Sequence, residues 1–204
     1  MEKKTYIKTY CIIENDKIVL DGKTVFENEA SGFADFSKKA YQYFGVGYPK
    51  FFKMDNLSKL AFLGADVLLN GKIDPEKEND IALLFANKSA SLDTDVKYQE
   101  SISDKENYFP SPAVFVYTLP NICLGEISIR HQLKSENSFF IFDAFNPGFM
   151  ADYANILIHT KKAGQVLCGW VEFFDEDYKA FLYLVSDEGQ NEHNKQNLEL
   201  LYNS

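Results

Sequence analysis

Ser111-Pro112-Ala113-Val114-Phe115-Val116-Tyr117-Thr118-Leu119-Pro120-Asn121-Ile122-Cys123-Leu124-Gly125-Glu126-Ile127-Ser128-Ile129 is the stretch on which the reading of the fold turns. Ala113 to Thr118 is an apolar run of core-strand length. Leu119-Pro120-Asn121 interrupts it. Proline is well tolerated at a first helical position, so a helix is expected from about Asn121 through Ile122, Leu124, Ile127 and Ile129. A strand that turns sharply into a helix N-terminus suits a nucleophile, because the helix end stabilises a thiolate or an oxyanion.

Upstream, Tyr48 to Leu60 packs aromatic, basic and capping residues together. Asp55 or Asn56 can cap a helix running to about Leu69, with Leu57, Leu60, Ala61, Gly64, Val67 and Leu68 as its apolar stripe. Asn70-Gly71 stops it. Ile81 to Ala86 is continuously apolar and reads as a buried, parallel strand. Tyr6 to Glu14 and Lys17 to Leu20 read as strands around the turn at Asn15-Asp16, and Asp21-Gly22 turns the chain again. Phe33, Phe36, Ala40, Tyr41 and Phe44 recur at helical spacing. Downstream, Leu92 to Lys105 and Phe149 to Lys162 read as helices, Phe139 to Phe142 as a short strand or extended link, and Gln165 to Phe174 with Ala180 to Val185 as strands, arranged as a hairpin across Asp175 to Lys179. Residues 188–204 are polar, apart from a Leu-rich patch at Leu198 to Leu201, and read as a short helix or a mobile tail after a domain of residues 1–187. Strands alternating with helices give an α/β fold with a mostly parallel sheet flanked by helices.

Composition narrows the function. The 204 residues carry a net charge of -9, which disfavours nucleic acid and anionic membrane surfaces. The N-terminus lacks a signal-peptide core, and no apolar run reaches the ~20 residues of a membrane span, so a reducing cytoplasm is expected. Cys11, Cys123 and Cys168 are odd in number, widely spaced and set in apolar runs, which reads as buried thiols, not disulfides or zinc ligands. His131, His159 and His193 have no neighbouring cysteine or second histidine, so no metal site is expected. Gly45-Val46-Gly47 does not open a helix after a strand, and no phosphate loop is present; no cofactor is implied. Aromatic residues reach 15%, which fits either a bulky core or a face covered by a partner.

At Tyr48 to Leu60, Asp80 to Asn87, Ser111 to Ile129 and Gln165 to Val185 the chain resembles the β-ketoacyl synthase N-terminal domain-like proteins of the thiolase superfamily. The closest likeness is to variants from aryl-polyene and flexirubin-type pigment clusters. The resemblance implies a thiolase-like half-fold. It also implies an acyltransferase activity for the family and, as partners, a full-length ketosynthase and an acyl carrier protein. Condensing enzymes of the family carry a Thr-Ala-Cys-Ser-Ser-like elbow. Laid on Thr118, it places Pro120 where the cysteine belongs, followed by Asn121. A shift of three reaches Cys123 instead, inside the helix. The family also draws two histidines from a C-terminal half, which the 204 residues are not expected to include.

Two readings follow. In the first the chain is a non-catalytic, chain-length-factor-like partner in fatty-acid, polyketide or pigment biosynthesis, a homodimer being a further option. Lys50, Lys53 and Lys59 would dock a partner or the acidic carrier protein, and Phe115 and Tyr117 would form an aromatic face on a pairing strand. In the second it is a stand-alone acyltransferase or thioesterase using Cys123, with Glu126 or a histidine as base; an acyl-binding domain without chemistry is the third option. Glu126 lies three residues after Cys123, on one helix face, but a neighbouring carboxylate disfavours a thiolate.

Overall fold

A computed structural model describes residues 4–74, 76–106 and 108–204; residues 1–3, 75 and 107 lie outside them. Three two-residue turns frame its sheet. Asn15-Asp16, Asp21-Gly22 and Asp175-Glu176 hold both residues at positive φ: 50° and 57°, 49° and 78°, and 50° and 64°. That conformation matches the right-handed twist of paired strands, and Asn, Asp and Gly reach it most cheaply. The turns join β1 (Tyr6–Glu14), β2 (Lys17–Leu20) and β3 (Lys23–Glu27), and further on β6 (Gln165–Phe174) and β7 (Asp177–Ser186).

The remaining strands are β4 (Ile81–Asn87), β5 (Asn137–Ile141) and the short β8 (Asn191–Glu192). The order across the sheet is β3-β2-β1-β7-β6-β4-β5, with β8 also on β1. Only β4 is paired in parallel, to β5 on one side and β6 on the other. All other pairings between these strands are antiparallel, and an isolated parallel bridge joins Asn79 to Leu133. The α/β class therefore holds, while the expectation of a mostly parallel sheet does not: the three tight turns commit five strands to antiparallel neighbours. The edge strand β3 has only Val25 and Phe26 as apolar residues between charged and polar ones, too short a run to signal a strand by itself.

Helices cover both faces. On one lie α1 (Phe33–Tyr43), a 3-10 turn (Pro49–Lys53), α2 (Asn56–Leu69) and α5 (Ile122–His131). On the other lie α6 (Pro147–His159) and α7 (Lys195–Tyr202). Alternation along β4 feeds both cores: Leu83 and Phe85 face α2, and Ala82, Leu84 and Ala86 face α6. Helix α2 is the centre of the first core, with 12 of its 14 residues buried. It starts where the capping residue predicts, the Asp55 carboxylate accepting the Ser58 N–H at 2.9 Å. Residues 188–204 are folded onto the domain: β8 pairs with β1, and Leu198 of α7 is fully buried.

Two consequences are measurable. A Cβ on Gly64 would sit 2.7 Å from Leu182 Cδ1, so α2 approaches β7 as closely as a glycine allows. Gly64→Val is expected to lower the unfolding free energy by about 1–3 kcal/mol in chemical denaturation. Burial also holds the imidazoles of His131 and His193 neutral, lowering each from 6.5 to about 4. A histidine depressed in the folded state stabilises fully above its unfolded pKa, and that contribution is lost as the pH falls through the window between the two values. Unfolding stability should thus fall between pH 6.5 and about 4, by at most about 3 kcal/mol for each of the two residues. At His131 the Arg130 charge adds to burial in disfavouring the imidazolium. His193→Gln should flatten the pH profile measured by urea denaturation.

Candidate functional site

Residues 113–118 are not a strand. Pro112–Val116 is a short helix, α4, opened by Ser111, whose hydroxyl accepts the Val114 N–H, and by Pro112 in its first turn. A Ser-Pro start pre-sets helical φ and satisfies an end donor, which outweighs the β preference of Val114, Phe115 and Val116. α5 begins beyond Asn121, as expected. The strand-elbow-helix proposed for Ser111 to Ile129 is therefore absent, and Thr118, Pro120 and Asn121 form a turn between two helices. Thr118 Oγ1 donates to the Phe115 carbonyl at 2.7 Å, closing that turn.

Cys123 is fully buried in the first turn of α5. Burial and then the Asp55 charge push its thiol far above the ordinary range. Glu126 is not its base. The carboxylate is 4% exposed, and its Oε1 takes the Tyr117 hydroxyl at 3.1 Å and the Lys50 ammonium at 2.9 Å. Lys50 is thus tied to a buried acid, Lys53 is exposed, and Lys59 is half-buried, with its ammonium pKa lowered by desolvation. The helical geometry also separates Phe115 from Tyr117: Tyr117 turns inward to Glu126, while Phe115 is 56% exposed.

Around Phe115 lies an apolar shelf. None of the residues of α4 is buried, and Val116 and Leu119 are exposed along the same segment; Leu92 and Val96 of α3 (Leu92–Ser103) are exposed too, on a different side of that helix from Tyr98. Tyr98 of α3 packs its ring 5.3 Å from that of Phe115.

The strand-to-helix elbow lies elsewhere, between β5 and α6. Phe142-Asp143-Ala144-Phe145-Asn146 turns the chain, Asn146 Oδ1 accepts the Phe149 N–H at 3.0 Å, and Pro147 takes the first helical position. The readable signal was Asn146-Pro147, a cap followed by an N1 proline. A Thr-Ala-Cys-Ser-Ser pattern laid on Ala144 puts its cysteine at Phe145. The Phe145 ring stacks on Tyr202 at 4.6 Å and meets Phe181 at 5.7 Å and Trp170 at 6.0 Å. It borders a cleft of about 570 Å³ at the C-terminal ends of the parallel strands, where Lys88, Asp143 and Glu172 also stand. Open α/β sheets bind ligands at this position, the switch point where strand order reverses.

No histidine lines this cleft. His131 lies on α5 beside Asp66, His193 is bonded to Asn155 on the α6 side, and His159 ends α6. Among the described residues no group of acids, cysteines and histidines could hold a metal ion, and no helix is long and apolar enough to cross a membrane. The three cysteines are free and buried, with Cys11 pushed up to about 12 and the other two raised as well. A thiol reagent such as Ellman's is expected to find no fast-reacting cysteine in native protein and three after unfolding. A rapid reaction lost in Cys123→Ala would restore that residue as a nucleophile.

No protein-family model matches the sequence, and no curated protein matches it. Solved structures do. The ishigamide ketosynthase/chain length factor superposes with a TM-score of 0.63 at 16% identity, over 90% of this chain and 62% of that one. A chain of the complex of the ketosynthase ApeO with its chain length factor ApeC from Xenorhabdus doucetiae gives 0.60 at 14%, over 98% and 90%. A chain of AntDE:AntF, a type II polyketide synthase acyl-carrier protein in complex with its ketosynthase, gives 0.59 at 16%, over 98% and 65%. This chain thus spans less than two thirds of two of these neighbours and nearly all of the third. What they share with it is the thiolase-like fold of ketosynthases and chain length factors, built here around an elbow that presents a phenylalanine.

Proposed function

We propose that this chain is a non-catalytic, chain-length-factor-like subunit that pairs with a ketosynthase in polyketide, fatty-acid or aryl-polyene-type biosynthesis. The observation that carries the reading is Phe145. At the strand-to-helix elbow, where a condensing enzyme needs a thiol, the side chain is an inert ring packed among Trp170, Phe181 and Tyr202. The stand-alone acyltransferase or thioesterase reading requires Cys123, whose burial and raised pKa count against it.

The α3–α4 shelf supports a partner surface. Phe115 and Leu119 are each 56% exposed, and covering such side chains is favourable. The shelf replaces the pairing strand as the docking surface: Phe115 stays a contact residue, and Tyr117 becomes its support through Glu126 and Lys50. Exposed Lys53 is the lysine best placed to meet an acidic carrier protein, since Lys50 is already neutralised by Glu126. The partner is a ketosynthase because the neighbours of this fold include a ketosynthase in complex with its chain length factor, and a ketosynthase supplies the thiol that this elbow lacks. Three reduced, buried thiols suit a cytoplasmic setting.

Two outcomes test this. Purified alone, the chain should form no β-ketoacyl product from acyl and malonyl thioesters. Co-expressed with a ketosynthase from its own source, it should co-purify in a one-to-one complex, and Phe115→Lys should weaken that complex at least tenfold without lowering the melting temperature. Condensation by the isolated chain, or a Phe115→Lys variant that binds as tightly as wild type, would contradict the respective half of the proposal. A stable homodimer that ignores the ketosynthase would replace the partner by a second copy.

A further inference from the structure

The cleft beside Phe145 contains a donor pair that the partner reading does not use. At the end of β4 the backbone N–H groups of Lys88 and Ser89 converge on one atom, Glu172 Oε2, at 2.7 and 3.2 Å. Glu172 reaches them from β6, the neighbouring parallel strand. Successive N–H groups aimed at one point form an anion-binding concavity, and a carboxylate is what fills it.

The concavity is shaped without Glu172. Asn87, fully buried, clamps the loop by accepting the Ala90 N–H at 3.0 Å and donating to the Ala90 carbonyl at 2.8 Å. Ala90 is held at a φ of 49°. Ser91 Oγ then ties the loop to the Thr118 carbonyl at 2.6 Å. The Lys88 side chain lines the same cleft. Two oriented donors close to the elbow are thus occupied by one internal carboxylate, and Lys88 and Glu172 both border the cleft.

We propose that the Lys88–Ser89 donor pair is a carboxylate- and oxyanion-binding site that the chain itself occupies with Glu172, closing the cleft to outside anions. It is an internal plug: an outside carboxylate competes with a tethered one and loses. The site stands whether or not the chain pairs with a ketosynthase. Asp143, Asp177 and Glu199 also border the cleft, so the vacated site should take a small anion weakly, in the millimolar range.

The test follows the Lys88 and Ser89 amide resonances of ¹⁵N-labelled protein during titration with acetate, against chloride at matched ionic strength. Wild type is expected to show no saturable shift. Glu172→Ala should show a saturable acetate shift confined to the loop, and Glu172→Gln, whose amide oxygen still fills the donors, should stay silent. A natively folded Glu172→Ala that gives no saturable shift overturns the proposal, as does wild-type protein that binds acetate equally well. Glu172→Ser is the second variant. If both it and Glu172→Ala lose the native spectrum, the loop depends on Glu172 as a structural staple and the plug is refuted.

Discussion

The burial of α2 is the constraint on which the rest of the structure depends. A helix with 12 of 14 residues out of water needs partners for its end groups: Asp55 supplies one at the N-terminal end, and at the exposed C-terminal end the Lys72 ammonium and N–H donate to the carbonyls of Leu68 and Leu69, both at 3.0 Å. Asp55 meets the N-terminal end and also takes the Thr94 hydroxyl at 2.8 Å, which fixes the start of α3. Near the other end Asp66 takes the Arg130 guanidinium at 3.0 Å, and Arg130 goes on to the Val46 carbonyl at 2.8 Å, joining α5 and the chain after α1 to the same helix. Gly64 lets α2 lie directly on Leu182 of β7. Desolvation raises the pKa of both aspartates, so these bonds oppose a penalty that burial imposes.

That constraint explains the division of labour between the two faces. The α2 face is a packed core that leaves little room for chemistry, and Cys123 and Glu126 belong to it as structural residues. The opposite face carries the elbow, the cleft and α7. Phe145 joins them: its ring bridges the elbow to Tyr202 of α7 and Phe181 of β7, so the position that would hold a nucleophile instead holds the C-terminal helix in place. Such a ring contact contributes roughly 0.5–1.5 kcal/mol beyond the area it buries.

Much of this was legible in the sequence where one signal dominated. Asp55 marked the start of α2, Asn70-Gly71 its end, and the unbroken apolar run Ile81 to Ala86 a strand buried on both faces. The turn pairs Asn15-Asp16 and Asp21-Gly22 were visible as turns, but their consequence, an antiparallel half of the sheet, was outweighed by the strand–helix alternation. Residues 113–118 were misread because Val, Phe and Tyr favour strands, while the Ser111-Pro112 start that decides for helix spans only two residues. That error displaced the elbow, since the true one at Phe142 to Asn146 has neither cysteine nor serine to draw notice. The Glu172 contact joins residues more than eighty positions apart, and no local pattern announces it.

The central claim is that the elbow is chemically silent and that condensation belongs to a partner. Intact-protein mass spectrometry of an equimolar mixture of this chain and the proposed ketosynthase partner, after incubation with an acyl thioester, tests it most directly. The account predicts that the acyl group appears on the ketosynthase alone and that the mass of this chain is unchanged. An acyl adduct on this chain, above all one abolished by Cys123→Ala, would contradict it.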